Sequence, residues 1–209
     1  GKVYDVNSLY PSVMYYEPMP YGEPQFVKGV VEPTDSHPLT MFSITFTAKL
    51  KKDHIPCMQI KNNSMFQPTA YLSEVAEPTT IMLTNIDFAL YNDHYDMQIL
   101  EYGGGWRFRA QVGMFEKYID KWSKIKAEST GGLRELAKLM LNSLYGKFAS
   151  NPNVTSKYPD MVDGRVVYKR GEENTRNPVY TPVGVFITSY ARNLTIRAAQ
   201  EHYDVFAYA

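Results

Sequence analysis

The stretch 133–148 constrains the fold most strongly, because its polar residues repeat at helical spacing. Four polar or aromatic side chains follow one another at intervals of four, four and three residues: Arg134, Lys138, Asn142 and Tyr145. This spacing puts all four on one face of a helix. Leucine and methionine occupy most of the other positions. The sequence therefore predicts a helix with one cationic and polar face.

This face changes its chemistry along the helix axis. Between Arg134 and Tyr145 an α-helix rises about 16 Å, from two cations to an amide and an aromatic ring. A nucleotide has a matching gradient from its phosphates to its base. A solvated amphipathic helix would explain the two charges, but not Asn142 and Tyr145 on the same face with Gly146 next to them. Glycine there would let a nucleic-acid backbone or base pair approach the helix end closely.

A second informative segment lies near the start of the chain. Residues 3–6 predict a short apolar strand that would hold Asp5 rigidly beside the Val6 carbonyl. Magnesium prefers oxygen ligands of this kind. Residues 7–10 could aim consecutive N–H groups at phosphate oxygens. The alternative is that Asp5 only caps the next helix, which is predicted over 8–16.

The remaining sequence contains both strand patterns and helix patterns. Strands are expected at 42–50, 55–60, 97–102, 106–110 and 205–209, with the glycines 103–105 as a turn. Helices are expected at 84–95, 114–128, 133–148 and 181–203. Asp163-Gly164 indicates a β-hairpin.

Composition excludes several classes of protein. The formal net charge is zero, but residues 107–147 carry nine Lys and Arg against four Asp and Glu. A basic region of this kind suits a phosphate-binding surface, although a solvated helix face has the same count. The single cysteine, Cys57, excludes an internal disulfide and a multi-cysteine zinc site. The sequence lacks a long apolar run and a cationic leader, so an intracellular protein without membrane insertion is expected.

Two motifs resemble a known family. Asp-Val-Asn-Ser-Leu-Tyr-Pro-Ser at 5–12 resembles the first polymerase motif of family B DNA polymerases, and 138–146 resembles their fingers-helix motif. The longer runs 138–152 and 178–192 are similar to the protein-primed phage polymerases of the phi29 type. This resemblance covers essentially the whole chain.

The resemblance implies an α+β fold and a division of the chain into parts of a polymerase. Residues 1–15 and 177–209 would form a partial palm, and 113–150 the helical fingers. Two inserts peculiar to the group would be a β-rich terminal-protein region 1 at 16–112 and a β-hairpin terminal-protein region 2 at 151–176.

The resemblance also implies a two-magnesium site, in which Asp5 is the catalytic ligand of both ions and the Val6 carbonyl binds one. The Tyr10 ring would lie under the sugar and exclude a 2′-hydroxyl. The implied nucleotide-binding residues are Leu9, Tyr10, Lys126, Arg134, Lys138, Asn142 and Tyr145. The implied DNA-binding residues are Gly146, Lys147, Thr188 and Arg192.

The implied activity is template-directed transfer of deoxynucleotides to a primer hydroxyl in protein-primed replication. The implied partners are template and primer DNA, deoxynucleoside triphosphates and a terminal protein, in the host cytoplasm of a phage. The family's second carboxylate motif, thumb and exonuclease are absent from these 209 residues, so the isolated chain is expected to be inactive. The alternatives are a non-catalytic module that binds DNA or terminal protein, and a magnesium-dependent nuclease.

Overall fold

The protein has the α+β fold that the resemblance implies. The computed structural model describes residues 8–59, 70–150, 153–175 and 179–205. In chain order the elements are α1 Leu9–Tyr16, β1 Met19–Val27, β2 Leu39–Leu50, β3 Glu74–Thr84, α2 Asn85–His94, β4 Tyr95–Gln111, α3 Glu116–Glu128, α4 Gly131–Phe148, β5 Asn153–Val162, β6 Arg165–Thr175, α5 Pro182–Gln200 and a 3-10 helix Tyr203–Val205. The strand predicted at 3–6 lies outside the described residues.

An antiparallel four-stranded sheet contains the strands of the first half, in the order β1-β4-β2-β3. The period-two pattern of β2 is confirmed, because Phe42, Ile44, Phe46 and Ala48 are all buried. These side chains form one hydrophobic cluster with residues of β3, α2 and β4. The helix predicted at 84–95 is also confirmed, and the Thr84 hydroxyl accepts a hydrogen bond from the Asp87 amide at 3.2 Å.

The glycines 103–105 form part of β4 and not a turn, so the prediction of two separate strands was wrong. Gly104 has a φ of 81°, and the register to β2 shifts next to it. An ideal Cβ on Gly105 would lie 2.1 Å from the Met41 carbonyl oxygen. Glycine is needed here because the strand bulges and the neighbouring backbone is close.

The strand predicted at 55–60 is absent from the described residues 55–59. Met58 makes one isolated bridge to Leu72, and the Tyr95 hydroxyl accepts hydrogen bonds from the Cys57 and Met58 amides at 2.9 and 3.1 Å. The same hydroxyl donates to the Leu72 carbonyl at 2.7 Å. A buried side chain therefore replaces a partner strand, and its burial raises the pKa of Tyr95 to about 12.

Helices form a second layer around α5. Most of its buried apolar residues pack in one cluster with side chains of α1, α3, α4 and the β1–β4 edge, whereas Ile196 joins the cluster under the sheet. Helix α5 ends at Gln200, three residues before the predicted end, and the chain continues into the 3-10 helix. Residues 206–209 of the predicted final strand lie outside the described residues. Within the part of the chain that the structure describes, no helix is long and apolar enough to cross a membrane.

The predicted hairpin is present as a separate two-stranded sheet of β5 and β6. Asp163 and Gly164 both have positive φ, at 50° and 72°, as a type I′ turn requires. Lys169 and Asp160 form an ion pair across the two strands.

Gly184 is the point of closest approach between α5 and the end of α4. An ideal Cβ there would lie 2.9 Å from the Phe148 carbonyl oxygen and 3.2 Å from the Ala149 nitrogen. We expect Gly184→Ala to lower the free energy of unfolding by about 1 to 3 kcal/mol, because backbone atoms must move apart. Denaturant unfolding measures this change. Gly132→Ala is the control, since no described atom lies within 4 Å of its Cβ position; equal loss in both variants would contradict the prediction.

Candidate nucleotide and nucleic-acid site

The polar face predicted for 133–148 is present on α4 and is open. Arg134, Lys138 and Asn142 are exposed, and Tyr145 is half-buried. Ala137 and Leu141, which flank this face, are buried, whereas Leu133, Leu136 and Leu139 on the far side of the helix are exposed. Helix α3 packs beside α4, and the Tyr118 hydroxyl donates to a carbonyl oxygen of α4 at 3.1 Å.

The start of α1 has the geometry of an anion-binding turn. Ser8 has a left-handed backbone, with φ 54° and ψ 42°, directly before the right-handed helix that begins at Leu9. A left-handed residue next to a right-handed one turns successive N–H groups towards a common point. The Ser8 side chain makes no capping hydrogen bond to these amides. The N–H groups of Leu9 and Tyr10 belong to the unpaired first turn of the helix, which favours a negatively charged ligand.

Helix α1 and the polar face of α4 meet at two aromatic rings. The centroids of the Tyr10 and Tyr145 rings are 4.3 Å apart, with a tilt of 32°. Burial, and then the neighbouring Tyr10, raise the pKa of Tyr145 above its ordinary value. The two sequence segments that predicted the site are therefore neighbours in space.

An open cleft of about 350 Å³ is bordered by residues before α1, in α3 and in α4. Its lining joins the start of α1, the end of α3 and the face of α4: Ser8, Ser123, Lys126, Ala127, Arg134 and Leu141. Arg134 Nη1 donates to the Lys126 carbonyl oxygen at 2.8 Å, which holds the end of α3 against α4. Two cations, Lys126 and Arg134, thus border one space with Ser8, the residue directly before α1, and this combination suits phosphate groups.

The proposed metal ligands Asp5 and Val6 lie outside the described residues. Among the residues that the structure describes, no group of three or more His, Cys, Asp or Glu side chains could hold a metal ion. The described part of the chain does not build a metal site without Asp5.

The expected DNA-binding residues of α5 lie away from the lining of the cleft. The Thr188 hydroxyl donates to the Val185 carbonyl of its own helix at 2.8 Å. Arg192 forms an ion pair with Asp87 of α2. Burial tends to lower the pKa of Arg192, but the Asp87 charge and hydrogen bond outweigh it and raise that pKa. Sequence patterns do not indicate this pair, because its two residues are 105 positions apart.

Gly146 and Lys147 are exposed in the last turn of α4. No described atom lies within 4 Å of an ideal Cβ on Gly146, and its φ is not positive. The fold itself therefore gives no reason for a glycine that costs about 1 kcal/mol in a helix. A ligand that approaches this turn closely would give one.

We expect Gly146→Ala to raise the free energy of unfolding by about 0.5 to 1 kcal/mol and to weaken binding of primer-template DNA. Thermal unfolding and DNA titration of the same preparation measure both effects. Gly132→Ala, which also enters open space in α4, should leave DNA binding unchanged. Stronger or unchanged DNA binding by Gly146→Ala would refute a role for this turn.

Comparison with known proteins identifies the family of this site. The family model described as DNA polymerase type B, organellar and viral, matches residues 1–209. The chain is 48% identical over 210 residues to the DNA polymerase of Bacillus phage Nf, covering 100% of this chain and 37% of the relative. It is 47% identical to that of Bacillus phage phi29, covering 36% of the relative, and 34% identical to that of Streptococcus phage Cp-1, covering 38%.

A solved structure has the same fold. The structure of phi29 DNA polymerase complexed with primer-template DNA and incoming nucleotide substrates matches with a TM-score of 0.88 and 47% identity, covering 96% of this chain and 36% of that one. The chain spans just over a third of the length of these relatives. Since the family model matches the chain from its first residue to its last, this protein belongs to the organellar and viral type B DNA polymerases.

Proposed function

We propose that this chain is the central part of a polymerase domain that carries out template-directed transfer of deoxynucleotides to a primer hydroxyl. The observation that carries the proposal is the meeting of the start of α1 with the cationic and aromatic face of α4, through the Tyr10 and Tyr145 rings and the cleft that Ser8 and Arg134 share. The names of the relatives support it, since all those reported above are DNA polymerases. These names do not favour a non-catalytic binding module.

The roles of the residues follow the chemical gradient of the site. The amides of Leu9 and Tyr10, with Lys126, Arg134 and Lys138, would bind the triphosphate, because N–H groups and cations hold phosphate oxygens. Asn142 and Tyr145 would lie at the base, and the Tyr10 ring under the sugar. Gly146 and Lys147 would face the DNA beyond the base, and Thr188 and Arg192 would hold it from α5.

Two magnesium ions, when bound, would neutralise the triphosphate and activate the primer hydroxyl. We assign Asp5 to both and the Val6 carbonyl to one, with a second carboxylate supplied from elsewhere in the complete protein. A nuclease would need a cluster of carboxylates, and the described residues supply none.

We assign the parts of the chain as the resemblance implies. Residues 1–15 and 177–209 would belong to the palm, and 113–150, with the helix pair α3 and α4, to the fingers. The sheet within 16–112 and the hairpin within 151–176 would be the two terminal-protein regions. From this assignment we infer that the complete protein acts in protein-primed replication, that a terminal protein is its partner and that it works in the host cytoplasm.

The test is primer extension by the complete polymerase, meaning the longer polypeptide in which we propose that this chain lies. We expect incorporation that follows the template base and stops when the template is omitted. A change of one template base should change the incorporated nucleotide accordingly. Incorporation without template, or DNA binding without any incorporation, would overturn the proposal.

The isolated 209-residue chain should not extend a primer. One carboxylate, Asp5, cannot hold two magnesium ions, and the described residues offer no further cluster. Extension assays with the complete polymerase as positive control measure this. Extension by the isolated chain that disappears on Asp5→Asn would show that the chain builds a full metal site by itself.

A further inference from the structure

A buried chain of polar groups joins α2 to α5. The Thr84 hydroxyl donates to Ser189 Oγ at 2.9 Å, and the Ser189 hydroxyl donates to Asp87 Oδ2 at 2.8 Å. Arg192 Nη1 donates to the other carboxylate oxygen, Asp87 Oδ1. Thr84, Ser189 and Asp87 are buried, whereas the side chain of Arg192 is 36% exposed. The chain therefore runs from the core to a guanidinium at the surface.

The direction of each hydrogen bond in this chain is determined. Each hydroxyl has one hydrogen to donate. Thr84 Oγ1 accepts from the Asp87 amide and donates to Ser189, whose own hydrogen goes to the carboxylate. Asp87 then accepts at both oxygens, which suits an ionised carboxylate. Because each oxygen has a separate donor, the carboxylate is held in one orientation.

Among the residues that the structure describes, the guanidinium of Arg192 makes one hydrogen bond, to Asp87. A guanidinium has five N–H donors in a rigid plane, and the bond to Asp87 uses one of them. A fixed plane with donors left at the surface is suited to a phosphate, since less rotational freedom is lost on binding. An ion pair that served stability alone would gain little, because burying charge costs about as much as the pairing returns.

We propose that Asp87 is a positioning residue that aims the guanidinium of Arg192 at a DNA phosphate. The inference rests on the proposed function and adds a residue of the β-rich insert to it. The rival role is simple neutralisation of Arg192. The two roles predict opposite signs: loss of a neutralising carboxylate leaves more positive charge and strengthens DNA binding, whereas loss of a positioning carboxylate weakens it.

The experiment measures binding of primer-template DNA by the complete polymerase over a range of salt concentrations. Arg192→Ala should reduce the slope of log K against log salt by about one, because one phosphate contact is lost. Asp87→Asn should also make log K fall less steeply with log salt, and it should raise Kd about 5- to 10-fold. In the Arg192→Ala background, Asp87→Asn should add no further loss. Tighter binding by Asp87→Asn, or an equal loss in both backgrounds, would overturn the inference.

The matched control is Asp93→Asn at the same junction. Asp93 pairs with Arg197 at 2.7 Å, but this pair is exposed on both sides. The control removes the same charge between the same helices and should leave the slope and Kd unchanged. A change as large as that of Asp87→Asn would mean a general charge effect and would also overturn the inference.

A milder variant keeps the test decisive if Asp87→Asn does not fold. Ser189→Ala retains the ion pair but removes one of the two groups that orient the carboxylate, and should raise Kd about 2- to 5-fold. An unchanged Kd for Ser189→Ala would count against positioning.

If Arg192→Ala leaves the slope unchanged while primer extension persists, the inference fails and the proposed function stands. If the unmodified polymerase does not extend a primer, the proposed function itself fails.

Discussion

Lys138→Ala in the complete polymerase should lower kcat/KM for the incoming nucleotide about 100-fold, with a higher KM and a lower kcat. Lys138 is exposed in the middle of the polar face of α4, one turn from Arg134 and one turn from Asn142. Among the described residues it takes part in no ion pair. A lysine contact to a phosphate is a charge-assisted hydrogen bond, and its loss at a developing charge costs about 2 to 4 kcal/mol.

Single-turnover incorporation at varied nucleotide concentration measures this effect. Lys124→Ala is the control, because Lys124 is an exposed lysine of the neighbouring helix whose side chain lies 4.0 Å from Glu128. The control removes the same charge and should change kcat/KM less than about twofold. A Lys138→Ala variant that lost only DNA affinity would contradict the assignment to the triphosphate.

Tyr10→Val should raise incorporation of ribonucleotides relative to deoxyribonucleotides about 10- to 100-fold. The Tyr10 ring stands at the start of α1 and contacts the ring of Tyr145, so its position is restricted from one side. A 2′-hydroxyl on the sugar would lie too close to a ring that cannot move away, and such overpacking costs about 1 to 3 kcal/mol. Valine removes the ring and leaves room for the hydroxyl.

Competition between ribo- and deoxyribonucleotides at one template position measures the selection. Tyr16→Val is the control on the same helix, because Tyr16 is 70% exposed and packs edge to face on Tyr15. It should leave sugar selection unchanged. Equal selection by Tyr10→Val and the unmodified enzyme would remove Tyr10 from the sugar contact.

Long periodic segments and strong turn signals were predicted well. Helix α4 extends over 131–148 against the predicted 133–148, since its apolar positions repeat at helical spacing over several turns. The hairpin turn at Asp163-Gly164 is specified locally, because it needs only two adjacent residues that tolerate positive φ. Such features depend on neighbours in the chain, which the sequence contains.

Two strands were missed because tertiary pairing overrides local preference. Strand β1 contains Pro20 and Pro24, and proline inside a segment argues against a central strand. It lies at the edge of the sheet and bulges between Tyr21 and Gln25, where proline is tolerated. Strand β3, with Pro78, is the opposite edge. Whether a strand lies at an edge depends on the whole sheet and not on the strand itself.

The sequence by itself determined the polar face of α4, the turn at the start of α1 and the family motifs. Each of these features depends on residues that are close together in the chain. Only the tertiary structure decided that the Tyr10 and Tyr145 rings meet and that Asp87 orients Arg192. These residues are separated by more than a hundred positions, and their contacts depend on how α5 packs against its neighbours. No local propensity encodes that packing, because it is a property of the assembled core.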